Sequence, residues 1–255
     1  MSLIADFPAL AVRQRSVSSM DNNVYLLTSK TDGSQLLIDA ADDPAAIAAL
    51  LAAARADAPV PTRLVAVVTT HSHWDHVRAL RQTLAAAASG PGQTGRPAAV
   101  AGAADAAEIT RAVKVAIDCA VSHGNTLTIE DGKLSVVPGG APTGDGAPAD
   151  AGSSPAAGGF SLAVIGLRGH TPGSIALALS QPGQIVHLFT GDSLFPGGVG
   201  NTGHDPDRFA QLLGDVEERV FAVYPDDTVI HPGHGRPTTL GAERPDLPAW
   251  RARGW

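Results

Sequence analysis

Five consecutive apolar residues, 64–68 (LVAVV), run through Thr69-Thr70 straight into His71-Ser72-His73-Trp74-Asp75-His76. An unbroken apolar run of this kind reads as a strand covered on both faces. Val77, Leu80 and Leu84 then recur at helical spacing. Three of the chain's nine histidines therefore fall within six residues, on the loop leaving a buried strand and just ahead of a helix. A loop held by the core on both sides is a rigid mount for a site.

The same style recurs along the chain. Residues 35–39 (QLLID) read as a buried strand, and Asp43-Pro44 as a helix start with an N-cap and a first-turn proline. Ile47, Leu50, Leu51 and Ala54 follow at helical spacing. Further strands are predicted at 126–130, 133–137, 160–167, 174–179, 185–190 and 228–230. Asp205-Pro206 opens a helix whose apolar stripe is Phe209, Leu212, Leu213, Val216 and Val220. Residues 138–159 are low-complexity sequence with almost no apolar bulk, read as a flexible insertion in a hairpin. The alternation of sheet and helix in each part suggests two similar halves.

The histidine cluster points to metal chemistry. Imidazole suits zinc and carboxylate suits harder ions, so a mixed cluster can hold either. Along an extended segment alternate side chains share a face, so His71 and His73 can converge on one ion. A turn after them can aim Asp75 and His76 at a second point nearby. One loop cannot complete two coordination shells, because zinc takes about four ligands and a catalytic zinc keeps one position for water. Further ligands are expected at other strand ends, and three candidates stand there. His170 lies in RGHTPGS, Asp192 in TGDS and His234 in PGHG, each beside glycine, which lets the backbone turn sharply or approach closely.

Composition narrows the partners. The net charge is −7 and no run of Lys or Arg occurs, which argues against duplex nucleic acid and anionic membranes. At 44% hydrophobic but only 4% aromatic, the core must be filled by Ala, Val and Leu. The one cysteine, Cys119, can form neither an intrachain disulfide nor a thiolate cage and reads as a small core residue. Asp6 interrupts the first apolar stretch and the arginines follow it, so no secretory signal is read and a cytoplasmic protein is expected. Of the other histidines, His187 reads as a core or face residue, His123 as part of a turn, and His204 as a candidate for a substrate pocket. His231 adjoins the last motif, and Trp250 and Trp255 are expected to pack on the core.

HSHWDH, RGHTPGS, TGDSLF and HPGHG, in this order, resemble the motifs of the metallo-β-lactamase superfamily, and ID of LLIDA resembles its early strand motif. The resemblance covers most of the chain, from about Asn23 to His234. It implies an α/β fold, an αββα sandwich of two mixed sheets flanked by helices, here one domain over 1–255, with the site along one sheet edge. It implies that His71, His73 and His170 bind a first metal, that Asp75, His76 and His234 bind a second, and that Asp192 bridges both. Asp39 is implied to hold the histidine loop, and Asp75 and Asp192 to be the catalytic carboxylates. Two divalent ions about 3.5–4 Å apart can share a water and lower its pKa toward about 7. Zinc is expected there, with iron or manganese as alternatives.

RGHTPGS and TGDSLFPGG most resemble the glyoxalase II-like group of thioester hydrolases. An aspartate bridge at Asp192 counts against a true β-lactamase, and His73 in place of glutamate counts against the flavodiiron group. The expected function is a dinuclear hydrolase cleaving a small-molecule thioester by attack of a metal-bridging hydroxide. The alternatives are a lactonase or other ester hydrolase using the same site, and a mononuclear iron persulfide dioxygenase. Glyoxalase II proper carries a helical C-terminal domain that helps bind glutathione. Only about twenty residues follow His234 here, so that domain is expected to be lacking and the thiol carrier stays open.

Overall fold

In this computed structural model residues 1–90, 95–139 and 158–254 are described. The chain opens with an antiparallel meander, β1 (Ser2–Asp6), β2 (Leu10–Val17), β3 (Asn22–Ser29) and β4 (Ser34–Ile38). Three parallel strands, β5 (Arg63–Thr69), β6 (Ala98–Gly102) and β7 (Cys119–Val121), complete a seven-stranded sheet in chain order. Parallel neighbours need a crossover. Here the crossovers are α1 (Pro44–Ala53), then the pair α2 (Trp74–Val77) and α3 (Leu80–Ala88), then α4 (Ala106–Val113).

The second sheet begins with β8 (Thr126–Glu130), β9 (Lys133–Val137), β10 (Phe160–Gly166), β11 (Ile175–Leu179) and β12 (His187–Gly191). A two-stranded ribbon, β13 (Leu194–Phe195) with β14 (Gly198–Val199), precedes α5 (Pro206–Val216), which crosses to β15 (Val229–Pro232). β16 (Thr238–Thr239), α6 (Leu240–Glu243) and α7 (Leu247–Arg253) follow. The sheet order is β16-β15-β12-β11-β10-β8-β9, with β12 and β15 parallel. These are the two mixed sheets flanked by helices that the motifs imply. No helix among the described residues is long and apolar enough to cross a membrane.

Period-two alternation sorts the apolar residues into three layers. Leu27, Leu36, Ile38 and Val68 face the second sheet and meet Leu127, Phe160, Leu177 and Phe189. Their chain neighbours Leu26, Leu37 and Val67 face outward onto Ile47, Leu50, Leu80 and Leu84 of α1 and α3. Ile165, Ala176 and Leu188 on the far side meet Phe209, Leu212, Val216 and Trp250. Each fully buried aliphatic or Phe side chain contributes about 1.5–3 kcal/mol. Cys119 packs at the edge of the inter-sheet layer, half-buried.

The helix starts at Pro44 and Pro206 stand where the sequence places them, capped by Asp43 onto Ala46 N and by Asp205 onto Asp207 N and Arg208 N. One expectation needs correction. Asp75 and His76 lie inside the turn α2, not on a loop ahead of a helix, because His76 N already donates to His73 O at 3.0 Å. The meander β1–β3 and the helices α4, α6 and α7 have no counterpart in the sequence reading. The expected insertion at 138–159 falls almost wholly on residues 140–157, outside the described residues, as does Trp255.

His187 and His231 both face the inter-sheet layer, from parallel neighbours β12 and β15. Their rings are stacked 4° from parallel, with Nδ1 of His187 2.8 Å from Nε2 of His231. Burial lowers both pKa values, that of His231 from 6.5 to about 3. The folded chain thus keeps His231 neutral where the unfolded chain takes up a proton, so the pair's stability is full above the unfolded value of 6.5 and is lost as pH falls toward 3. Each pH unit in that window removes up to about 1.4 kcal/mol per such group. Thermal melting followed from pH 7 to pH 4 should fall steeply, and the double variant His187→Phe/His231→Phe should show a shallower slope. An unchanged slope in the double variant would remove the pair from the acid response.

Candidate metal centre

The seven sequence-predicted site residues come together at one edge of the sandwich. His71 and His73 follow the end of β5, and Asp75 and His76 stand on α2. His170 comes from the β10–β11 loop, Asp192 directly follows β12, and His234 follows β15. Three groups could each hold a metal ion: His71, His73 and His170; His71, His76 and Asp192; Asp75, His76 and His234. Within each group the ligand atoms lie within 4.8 Å of one another. Asp192 stands between the outer two groups. Its Oδ1 lies 3.4 Å from His76 Nε2, and its Oδ2 lies 3.7 Å from His170 Nε2 and 3.4 Å from His234 Nε2. Asp75 Oδ2 lies 3.3 Å from His234 Nε2.

The outer partners of four imidazoles fix which nitrogen faces inward. His170 Nδ1 meets the carbonyl of Asn201 at 2.7 Å, and His234 Nδ1 meets that of Met20 at 2.7 Å. A carbonyl only accepts, so each Nδ1 carries the hydrogen and each Nε2 presents a lone pair to the centre. His76 Nδ1 donates in the same way to Asp39 Oδ2 at 2.9 Å. Thr70 Oγ1 gives its proton to Asp39 Oδ2 at 2.8 Å and so accepts from His71 Nδ1 at 3.1 Å. His76 Nε2 and His234 Nε2 stand 3.1 Å apart, a close approach of two ring nitrogens that calls for a proton or a cation between them. Among the described residues, Nε2 of His71 and His170, both buried, find no hydrogen-bond partner, and neither does Asp192 Oδ1. Such a convergence of acceptors is unfavourable unless a cation sits among them, and the donor set of imidazole and carboxylate fits a divalent ion of the zinc or iron type.

The titration behaviour divides the imidazoles: His71 and His170 favour the neutral form, whereas His76 and His234 attract a proton where a cation would sit. Burial pushes His71 and His170 down, toward the neutral form a metal needs. Burial also lowers His76, but Asp39 and Asp192 outweigh it and raise His76 to about 10. The hydrogen bond to Asp192 raises His234. Burial opposes the charge on Asp192, yet His234 and His76 hold it well below the usual carboxylate range.

Asp39 is the anchor of the histidine loop, as the resemblance implies. It sits at φ 57° just past β4, is 2% exposed, and also accepts from Thr70 N at 2.7 Å. Two supporting asparagines were not read from the sequence. Asn22 donates to Asp75 Oδ2 at 3.0 Å and to Asp75 O at 3.2 Å. Asn23 donates from Nδ2 to Pro232 O and Gly235 O, fastening the His234 loop. Their signal was a polar pair opening an apolar strand. A Cβ on Gly233 would overlap Asp192 Oδ1 and His76 Cε1, so the HPGHG loop passes the centre only as glycine. His204 lines a cleft of about 400 Å³ with Asn201, Thr202 and Arg253. His123 lies beyond β7, where its Nδ1 accepts from Gly166 N at 3.4 Å, and His187 and His231 pair in the core.

The chain belongs to the metallo-β-lactamase superfamily, whose family model matches residues 20–234. It is 36% identical over 94 residues to the hydroxyacylglutathione hydrolase GloC of Haemophilus influenzae, a match covering 35% of this chain and 41% of that one. It is 29% identical over 197 residues to the hydroxyacylglutathione hydrolase of Cupriavidus metallidurans, covering 74% of this chain and 60% of that one. The matched segments thus span less than two thirds of either relative. Among solved structures it is similar to TTHA1623 in a di-iron-bound form, with a TM-score of 0.56 and 26% identity over 91% of this chain and 96% of that one.

Asp39→Ala frees the Nδ1 hydrogen of His76 and the Thr70 hydroxyl together. Chelator competition should show metal affinity lower by about 10- to 100-fold, the range seen when an outer partner of a metal-binding imidazole is lost. Unaltered affinity would mean that the loop holds its shape without this carboxylate.

Proposed function

We propose that this chain is a dinuclear metal-dependent hydrolase of small acyl substrates, with a thioester as the first candidate. The observation that carries the proposal is the convergence of Nε2 lone pairs from His71, His76, His170 and His234 on the carboxylates of Asp75 and Asp192. His71, His73 and His170 would hold one ion, Asp75, His76 and His234 the other, with Asp192 shared. Bound there, two divalent ions supply Lewis acidity and a water of lowered pKa.

The chain's own residues do the rest. Asp192, with Oδ1 toward His76 and Oδ2 toward both His170 and His234, would be the carboxylate shared by the two groups. Asn22 holds Asp75 so that one oxygen faces the centre. Asn201 O and Met20 O keep His170 and His234 in the tautomer that binds. Zinc is the first candidate ion, and the di-iron-bound relative supports iron as the alternative. The two hydroxyacylglutathione hydrolases among the relatives support a thioester over a simple ester. A small-molecule substrate, without nucleic acid or membrane as partner, and a cytoplasmic setting complete the proposal; the net charge of −7 supports the first part.

Metal analysis of protein purified without added metal should give two ions per chain, with turnover of a hydroxyacylglutathione thioester or another acyl thioester. Asp192→Asn should lower kcat by more than ~100-fold, beyond what loss of an outer partner produces. Turnover of lactones but not thioesters would redirect the substrate class. A single iron per chain with oxygen consumption on persulfides would overturn the hydrolase reading.

A further inference from the structure

The carboxylate of Asp105 is buried between the two sheets beside the metal centre and belongs to neither metal group. Asp105 stands just past β6, ahead of α4, and is 1% exposed. Its Oδ2 accepts from Ser72 N at 2.9 Å and from Thr171 Oγ1 at 2.6 Å, and its Oδ1 accepts from Gly173 N at 2.7 Å. Ser72 lies between His71 and His73 on the first sheet's loop. Thr171 and Gly173 follow His170 on the second sheet's loop. One side chain therefore fastens together the two loops that carry the three-histidine group.

The approach at this seam is close. A Cβ on Gly173 would overlap Asp105, and one on Gly102 would overlap the Gly173 carbonyl. Ile175 N donates to Thr70 O across the same seam at 2.9 Å. The proton of Thr171 Oγ1 goes to Asp105, so Ser174 Oγ donates to Thr171 Oγ1 at 2.6 Å while accepting from Thr171 N at 3.0 Å. Asp105 makes no ion pair among the described residues; its two oxygens are met by three neutral donors. A carboxamide would serve less well: it offers one accepting oxygen, and its NH2 would face a backbone N–H.

We propose that Asp105 is a positioning residue for the three-histidine metal position, setting the separation at which His71, His73 and His170 share one ion. The inference rests on the dinuclear reading above. Cobalt(II) titration of the metal-free protein, followed by visible absorption and calorimetry, tests it. The wild type should bind two equivalents. In Asp105→Ala one equivalent should weaken by about 10- to 100-fold, with altered absorption bands, while the other keeps its affinity. Asp105→Asn should fall between the two. Thr171→Val, a milder change that removes one donor and keeps the shape, should weaken the same equivalent. In an Asp75→Ala background, which leaves the three-histidine position intact, Asp105→Ala should weaken the remaining tight ion. Two unaltered equivalents in Asp105→Ala would overturn the inference. So would equal weakening of both equivalents with a lowered melting temperature of the metal-free protein. A wild type that binds fewer than two cobalt ions would take down the dinuclear reading itself, and this inference with it.

Discussion

The first sheet's share of the metal centre hangs from the buried carboxylate of Asp39. It accepts from the Thr70 backbone, the Thr70 hydroxyl and His76 Nδ1, and so sets the path of the chain as it leaves β5. The parallel pairing of β4 with β5 makes this possible, since it brings the end of one strand beside the end of the next. A buried carboxylate is tolerated when several donors meet it, and here those donors are the parts that must be held still. Its left-handed backbone, φ 57°, is one that aspartate adopts more readily than most residues and is held by the bonds around it.

The second constraint is that no single sheet holds a complete set of ligands. The first sheet contributes His71, His73, Asp75 and His76, and the second contributes His170, Asp192 and His234. The inter-sheet layer of Leu, Val and Phe side chains therefore does more than stabilise the fold, because it sets the distance between the two half-sites. The site loops themselves are stitched across the gap by Asn23, bonded to Pro232 O and Gly235 O, at one end and by the Thr70–Ile175 backbone bond at the other. The convergence of imidazoles and carboxylates suits a cation, which would stabilise the folded state through its own affinity.

The sequence was most legible where local chemistry is decisive. The run 64–68 and the histidines after it named their strand, and Asp43-Pro44 and Asp205-Pro206 named two helix starts, because burial and capping act within a few residues. The meander β1–β3 was not legible, since β2 carries Arg13, Gln14 and Arg15 in its middle without clean alternation. The turn that holds Asp75 and His76 is not legible because a helix of four residues leaves no periodic signal. The roles of Asn22, Asn23 and Asp105 were invisible for another reason. Each bonds to residues far away in the chain, and neither asparagine nor aspartate announces such a partner.

By itself the sequence determined the kind of chemistry, because imidazole and carboxylate in that density, at strand ends and beside glycine, suit metal binding. It also determined the two-sided apolar strands that make a sandwich. Only the tertiary structure decided which atoms face one another: that four Nε2 lone pairs point inward, that Asp192 lies between two groups, and that Asp39 and His76 are partners. The physical reason is that residue type fixes what a group can bind, whereas direction and distance come from packing two sheets against each other, which no local stretch of chain encodes.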